Sequence, residues 1–202
     1  MKFQEFSKIP RLSRDMIITE KIDGTNAQIA IFNPAELGIE GEELLGEFQF
    51  PVGDYIMMIG SRTRWIAPGK GTDNMGFASW VLDHSEDLLK LGEGIHYGEW
   101  WGSGIQRGYG IKEKKFSLFN VSRWGDPSTR PVCCDVVPTL YTGMFDTDEI
   151  NHVLEQLAGF GSAAAPGYMN PEGIVIYHVA GGYYFKKTID NDESPKGLVK
   201  EE

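Results

Sequence analysis

Cysteine is almost missing from the sequence, since its only two cysteines are the neighbours Cys133 and Cys134. Adjacent cysteines cannot form an ordinary long-range disulfide with each other, and they lack the ligand spacing of a zinc site. The sequence therefore argues against a disulfide-stapled secreted domain and against a cysteine-bound metal. We expect a reducing, cytoplasmic setting for the chain.

Long uncharged apolar stretches are also lacking. No such run approaches the roughly 20 residues that a membrane-spanning helix requires. The first residues, Met1 to Leu12, have charges spread among their apolar side chains and lack the apolar stretch and small-residue cleavage site of a secretion signal. We therefore expect neither a membrane partner nor secretion.

Positive charge is in short supply, with 19 Lys and Arg against 29 Asp and Glu and a net charge of −10. Proteins that bind nucleic acid through a large basic surface depend on Lys and Arg to neutralise phosphates. The composition excludes that mode of binding. Nucleic acid could bind only if the basic residues gather in one groove while the carboxylates lie on other faces.

The length of 202 residues, with 41% hydrophobic and 12% aromatic residues, is typical of one folded domain. No internal repeat, low-complexity tract or change in composition marks a linker. We therefore predict a single domain over residues 1–202. Its charged end, residues 191–202, is predicted to be a frayed tail.

Apolar periodicity predicts two helices and a series of strands. Helical spacing occurs at residues 77–91 and 150–157, the second preceded by the capping candidates Asp146 and Thr147, whereas residues 33–53 are predicted to be an excursion. The β-rich runs are residues 16–19, 27–32, 55–60, 95–101, 116–121, 136–141, 173–178 and 183–187. Because strands follow one another without regular helices between them, we expect an α+β fold with largely antiparallel sheets flanked by helices.

The first candidate site is Lys21, in a Lys-Ile-Asp-Gly-Thr-Asn segment between two apolar runs. An amine nucleophile needs to be held at such a strand end, near an acid and a glycine that permits close approach, and it has to lose its proton. Asp-Gly turns are common, so an exposed lysine that enters an ordinary turn fits the same spacing. The segment alone leaves both interpretations open.

A second candidate is Glu99, at the end of an apolar run where burial of an unpaired carboxylate would be costly. A metal ion, a ribose hydroxyl or a lysine would serve as its partner, and a strand-edge glutamate that faces water is the alternative. The following loop, residues 102–110, is rich in glycine and contains Arg107. Its spacing is not that of a dinucleotide-binding fingerprint, so a plain glycine-rich connection is the better interpretation.

A third candidate combines Glu172 with the neighbours Lys186 and Lys187. A hairpin between the runs at 173–178 and 183–187, turning at Ala-Gly-Gly, would bring the carboxylate and one lysine towards a common site. Because strand side chains alternate, the two lysines are expected on opposite faces. A hairpin with a solvated basic end is the alternative.

Two further pairs have open interpretations. Phe116 or Phe119 would offer a ring for base stacking, although core packing is the more common fate of such side chains. Arg62 and Arg64 would suit phosphate recognition, or they are simply exposed loop arginines.

Taken in chain order, these segments resemble the covalent nucleotidyltransferase superfamily of DNA ligases, RNA ligases and capping guanylyltransferases. The resemblance extends over residues 16–188 and rests on five short motifs: Lys21-Ile22-Asp23-Gly24, Tyr97-Gly98-Glu99, residues 116–120, residues 171–175, and Phe185-Lys186-Lys187-Thr188. Asn26, the Ser-Arg-Thr-Arg segment at 61–64 and the Gly98–Gly102 stretch with Gln106-Arg107 are most similar to the RNA ligase branch.

The resemblance implies an ATP-grasp-like ligase adenylation domain that uses ATP and Mg²⁺ or Mn²⁺. Lys21 would attack the α-phosphorus of ATP, expel pyrophosphate and become lysyl-AMP; AMP would then pass to a 5′-phosphate end of RNA, and a 3′-hydroxyl would displace it. The attack requires a neutral lysine, which nearby positive charge from the metal and a fifth-motif lysine would favour. The same charges would offset those of the phosphate oxygens during transfer.

The resemblance also implies a role for each matching side chain. Metal or ribose would be bound by Asp23, Glu99 and Glu172; the adenine edge by Glu20 and its face by Phe119 or Phe116; the phosphates by Lys186 and Lys187; and the nucleic-acid end by Asn26, Arg62, Arg64 and Arg107.

Two features depart from the family pattern. The family's fifth motif has two lysines separated by one residue, whereas this chain has adjacent Lys186 and Lys187 followed by Thr188. We favour Lys186 as the first member, because an apolar residue precedes it. No appended oligonucleotide-binding domain is expected after the fifth motif, so a partner protein would supply additional grip on the substrate.

Alternatives to an RNA ligase with a role in RNA repair are open at this point. A minimal DNA ligase or a guanylyltransferase would use the same chemistry. A non-catalytic module that binds adenylates or RNA ends would keep the pocket without turnover, although such a module would not require the nucleophile Lys21.

Overall fold

The computed structural model describes residues 2–37 and 46–193. The strands are β1 Asp15–Lys21, β2 Thr25–Phe32, β3 Phe50–Val52, β4 Tyr55–Ser61, β5 Trp65–Ile66, β6 Gly94–Gly102, β7 Lys114–Leu118, β8 Cys134–Val136, β9 Thr139–Met144, β10 Gly173–His178 and β11 Tyr183–Thr188. The α-helices are α1 Phe77–Asp83, α2 Ser85–Leu88, α3 Val121–Trp124 and α4 Thr147–Phe160. Parts of two predictions, the excursion at 38–45 and the frayed tail from residue 194 onwards, lie outside the described residues.

The chain divides into two compact units. The terminal unit comprises Met1–Ile22 and Pro138–Glu202, and the central unit comprises Asp23–Val137. The boundary at Ile22 and Asp23 falls inside the first motif, so Lys21 belongs to one unit and the following acid to the other.

The terminal unit is a four-stranded antiparallel sheet in the order β11-β10-β1-β9, with α4 packed on one face. Alternate residues of the two central strands, among them Ile18 and Ile176, point to the helix and bury Val153 and Leu157. The helix begins as its sequence predicts, because the Asp146 carboxylate accepts a hydrogen bond from an amide of the first turn.

The central unit has a seven-stranded sheet in the order β3-β4-β2-β6-β7-β8, with β5 paired to β4. All its pairings are antiparallel except that of β7 with β8. One face of the sheet forms the larger core with Phe77 and Val81 of α1, whereas the other face presents Asn26 and Glu99. The α+β fold with largely antiparallel sheets is therefore confirmed.

Three sequence predictions of element boundaries are wrong. The helix expected over residues 77–91 is interrupted at His84, whose ring bonds to the Trp80 carbonyl, and it continues as α2 and a 3-10 turn. The strand expected to reach Val121 stops at β7, because the Asn120 side chain caps α3. The run at 136–141 is two strands, β8 and β9, separated at Pro138, which has no amide hydrogen to donate.

In the described ranges no helix is both long and apolar enough to cross a membrane.

Candidate active site

Lys21 is the last residue of β1 and lies directly across the sheet from Gly173, the first residue of β10. Glu172 immediately precedes that glycine, and its Oε2 accepts a hydrogen bond from Lys21 Nζ at 2.5 Å. The Glu172 side chain is only 2% exposed, and burial of a carboxylate without a partner would be costly. The antiparallel register of β1 and β10 thus joins two motifs that are 151 residues apart.

Glu20 is on the opposite face of β1 and is buried. Its carboxylate accepts hydrogen bonds from the Ser162 hydroxyl at 2.6 Å and from the amides of Ala163 and Ala164 at 2.8 and 2.9 Å. These donors belong to the turn after α4, and we call them the Ser162 turn. The turn holds the strand end that carries Lys21. The expected contact of Glu20 with the adenine edge stays a prediction.

The two adjacent lysines of β11 lie on different faces, as strand alternation predicts. Lys186 pairs across the ladder with Val175, which is in the same alternating set as Lys21, whereas Lys187 pairs with Ile174 on the face of Glu20. Lys186 is exposed, and Lys187 is half-buried. The register therefore places Lys186 on the face of the sheet that carries Lys21.

In the central unit, Asp23 is buried beside the glycine-rich loop. Its Oδ2 accepts a hydrogen bond from Arg107 Nε at 3.1 Å, and its amide donates to the Tyr109 hydroxyl at 2.8 Å. Tyr109 is itself buried edge-on against Trp101, with ring centroids 5.1 Å apart. The loop therefore fixes the orientation of the Asp23 carboxylate, and Arg107 is engaged in an ion pair.

Glu99 faces the same polar side of the central sheet as Asn26, its direct partner across β2 and β6. Its Oε1 accepts a hydrogen bond from the Gly24 amide at 3.0 Å. A side chain at Gly24 would not fit, because a Cβ there would lie 2.4 Å from the Trp100 carbonyl oxygen. The first motif requires a glycine at this position because the backbones approach so closely.

The two candidate stacking rings differ in exposure. Phe116 is fully buried, with its ring packed against Phe77 and Trp80 at centroid distances of 5.0 and 5.9 Å. A base could not reach it without disrupting the core, so the expectation that Phe116 stacks on adenine is corrected. Phe119 lies just beyond β7 and is half-buried, and it keeps that role as a prediction.

Arg62 and Arg64 are exposed in the tight turn between β4 and β5, which is closed by a hydrogen bond from the Ser61 amide to the Arg64 carbonyl. Ser61 pairs with Ala27, next to Asn26 on β2. The turn therefore holds the two arginines at the end of the strand that carries Asn26.

Among residues 2–37 and 46–193, no group of three or more His, Cys, Asp or Glu side chains is arranged to hold a metal ion. Asp23, Glu99 and Glu172 each accept hydrogen bonds from protein groups instead. Mg²⁺ is commonly bound by only one or two carboxylates together with substrate phosphates and water. Carboxylates are the oxygen ligands that such an ion takes, and the ligand roles of Asp23, Glu99 and Glu172 stay predictions.

Sequence reasoning missed two supporting groups, the Ser162 turn and Tyr109. The Ser162 turn is separated from Glu20 by more than 140 residues, so no local pattern reveals it. Tyr109 stands between Gly108 and Gly110, and that Gly-Tyr-Gly sequence was the available signal of a turn, in which the tyrosine has a φ of 52°.

Comparisons with known proteins identify a family for the chain. The sequence model of the RNA ligase family matches residues 14–190. No curated protein matches the sequence significantly.

Solved structures share the fold. An apo variant of the Naegleria gruberi RNA ligase R4a is 17% identical with a TM-score of 0.57, and the match covers 87% of this chain and 50% of that one. A variant of a Naegleria gruberi RNA ligase with AMP and Mn is 15% identical with a TM-score of 0.57, and the match covers 87% of this chain and 49% of that one. A variant with ATP and Mn is 16% identical with a TM-score of 0.55, and the match covers 87% and 50% of the two chains. The chain thus spans about half the length of the solved ligases that it matches. On the family match over most of its length, the chain belongs to the RNA ligase family.

Proposed function

We propose that the chain is an ATP-dependent RNA ligase adenylation domain that carries AMP on Lys21. The observation that supports this most strongly is the contact between the Lys21 amine and the buried Glu172 carboxylate, which are 2.5 Å apart where the two central strands β1 and β10 meet at their ends. A lysine held in this way has a fixed position and a proton acceptor beside it, which are two requirements of an amine nucleophile.

In the first step, Lys21 Nζ attacks the α-phosphorus of ATP. Glu172 Oε2, the acceptor at 2.5 Å, first takes a proton from the lysine ammonium, so that the amine is neutral when it attacks. An N–P bond then forms, the P–O bond to the leaving pyrophosphate breaks, and the second proton lost by the nitrogen leaves with the pyrophosphate. The phosphate charge is offset by Lys186, which is on the face of the sheet that carries Lys21. The product is a lysyl-AMP phosphoramidate.

In the following steps, AMP passes to the 5′-phosphate of an RNA end, and a 3′-hydroxyl attacks the activated phosphate and releases AMP. Residues of the central unit take part through their own chemistry. Phe119 stacks on adenine, whereas Asn26, Arg62, Arg64 and Arg107 bind the RNA end through amide and guanidinium donors.

The similar Naegleria gruberi ligase has been solved with ATP, with AMP and with Mn. We extend this to the present chain, with Mg²⁺ or Mn²⁺ bound by carboxylates drawn from Asp23, Glu99 and Glu172 and by nucleotide phosphates. When bound, the ion supplies positive charge to the phosphate oxygens.

The setting we propose is RNA repair in the cytoplasm, by a single nucleotidyltransferase domain with a partner protein that adds grip on the substrate. The negative net charge of the chain supports the need for such a partner.

The test is incubation of the purified protein with α-labelled ATP and Mg²⁺, followed by denaturing electrophoresis. Label should be retained by the wild type and by the control Lys70→Ala, whose lysine is exposed and has no assigned role, and it should be lost in Lys21→Ala. Labelled GTP should give no product. Absence of label from protein shown not to be adenylylated beforehand would contradict the proposal and favour a non-catalytic binding module.

The substrate is tested by adding 5′-phosphorylated RNA to the labelled protein. Label should move from protein to RNA, and a nick made of RNA should be sealed faster than the same nick in DNA. Equal sealing of the two nicks would indicate a minimal DNA ligase instead.

A further inference from the structure

The face of the terminal sheet that carries Lys21 extends well beyond the nucleophile. Residues paired directly across antiparallel strands share a face, and alternate rows repeat on it. From the edge inwards, the rows on this face are Lys21–Gly173–Thr188, then Thr19–Val175–Lys186, then Ile17–Tyr177–Tyr184.

The third row ends in two stacked tyrosines. The rings of Tyr177 and Tyr184 have centroids 4.5 Å apart and planes inclined by 29°. Tyr184 is 63% exposed although it belongs to a regular strand, and Tyr177 is half-buried beneath it. The pair therefore offers solvent a supported aromatic surface, of the kind on which nucleobases stack.

The position of the pair suits a strand whose end reaches the nucleophile. The Ile17 row and the Lys21 row are four residue steps apart along β1, which corresponds to about 13 Å. The cation of Lys186 belongs to the row between them. On the far side of the tyrosines, Asp15 occupies the next row on β1, where its carboxylate would repel a phosphate.

Tyr184 is also uncharged under working conditions. Partial burial raises the pKa of Tyr184, and the neighbouring Tyr177 phenol raises it further. The ring therefore adds no negative charge beside an RNA backbone near neutral pH.

We propose that Tyr177 and Tyr184 form a stacking platform for a nucleobase of the RNA strand whose 5′-phosphate receives AMP, with the intervening phosphate beside Lys186. This site rests on the proposed function, since it assumes that RNA is the substrate. Sequence motifs of the family do not include these tyrosines. RNA suits this face better than a peptide added to the β11 edge, because the face combines an exposed aromatic ring with cations.

The test compares neighbouring residues of one strand. Tyr184→Ala removes the platform, and Tyr183→Ala is a matched control, because Tyr183 is 67% exposed, follows the same strand and points to the opposite face. Binding of 5′-phosphorylated oligoadenylate, ten nucleotides long and labelled with a fluorophore, is measured by anisotropy at one fixed salt concentration. Adenylylation of Lys21 by ATP is measured on the same preparations.

We expect Tyr184→Ala to weaken RNA binding by roughly 5- to 160-fold, the effect of losing one base-stacking ring. Tyr183→Ala and the ring-preserving Tyr184→Phe should bind within about twofold of the wild type, since they leave the stacked pair in place. Adenylylation should be unchanged in all three, because that step does not involve RNA.

Equal binding by Tyr184→Ala and Tyr183→Ala would overturn the platform, and so would a wild-type protein that does not bind the RNA. Tyr184→Leu is the control for a loss of stability in Tyr184→Ala, which would appear as a reduced melting temperature. The leucine fills the site without an aromatic ring, and this variant should lose binding equally. If the wild type does not adenylylate but the two tyrosine variants still differ in RNA binding, the proposed function fails and the platform stands.

Discussion

Replacing Ser162 with alanine should destabilise the protein much more than an ordinary surface substitution. The Ser162 hydroxyl donates to Glu20 Oε1 at 2.6 Å and accepts from the Ala165 amide at 3.0 Å, and all three groups are buried. Loss of a hydrogen bond to a charged group costs about 1.5 to 3 kcal/mol, and the amide left without its acceptor adds about 1 kcal/mol. The free energy of unfolding should therefore fall by about 2 to 4 kcal/mol.

Urea unfolding of four proteins measures this effect: the wild type, Ser162→Ala, Glu20→Gln and the double variant. Because the two residues are in direct contact, the costs of the single variants should not add, and the double variant should be more stable than their sum predicts. Ser13→Ala, an exposed serine of the same unit, should change the unfolding free energy by less than about 0.5 kcal/mol.

A change below about 0.5 kcal/mol in Ser162→Ala would refute the reasoning, because it would mean that the buried carboxylate does not depend on this hydroxyl. Strict additivity of the single variants would refute it as well. Since Glu20 adjoins Lys21, the same variant should also slow adenylylation by ATP, which the label-transfer assay detects.

Three further substitutions or treatments have defined outcomes. Gly24→Ala, which brings a Cβ to 2.4 Å from the Trp100 carbonyl oxygen, should lower the urea midpoint by an amount worth about 1 to 3 kcal/mol, and an unchanged midpoint would contradict the close approach. Burial lowers the pKa of His96 from 6.5, so the contribution of the neutral imidazole to stability is present above pH 6.5 and is lost as the pH falls below that value. Below pH 6.5 the free energy of unfolding should decline by up to about 1.4 kcal/mol per pH unit, and less steeply in His96→Gln. A hydrogen bond with the Cys134 thiol lowers the pKa of Cys133, whereas that same bond and burial raise the pKa of Cys134. Iodoacetamide should therefore label Cys133 first, and mass spectrometry that finds Cys134 labelled first would contradict this.

Local patterns predicted the elements that present the site. The alternation of apolar residues identified β1 and the hairpin of β10 and β11, whose turn contains Gly182 at a φ of 68°. Strand alternation alone also predicted that Lys186 and Lys187 lie on opposite faces, which the register confirms. These features depend on neighbouring residues, and therefore the sequence is sufficient to predict them.

Local sequence patterns do not predict contacts between segments that are distant in the chain. Nothing near Glu20 in the sequence indicates that the Ser162 turn surrounds its carboxylate. The helical spacing at 77–91 matched a single helix because the core needs the same apolar positions, although the chain breaks at His84. Phe116 is buried because it packs against Phe77, and the local sequence around Phe116 does not indicate this tertiary contact.

The most direct test of the central claim is to locate AMP on the protein. Wild-type protein is incubated with ATP and Mg²⁺ and digested under mildly alkaline conditions that preserve a phosphoramidate, and the peptides are sequenced by mass spectrometry. We expect AMP on Lys21 of the peptide that contains Glu20 and Asp23, and on no other lysine. AMP attached to another residue, or no adduct on protein that binds ATP, would contradict the claim that Lys21 is the nucleophile.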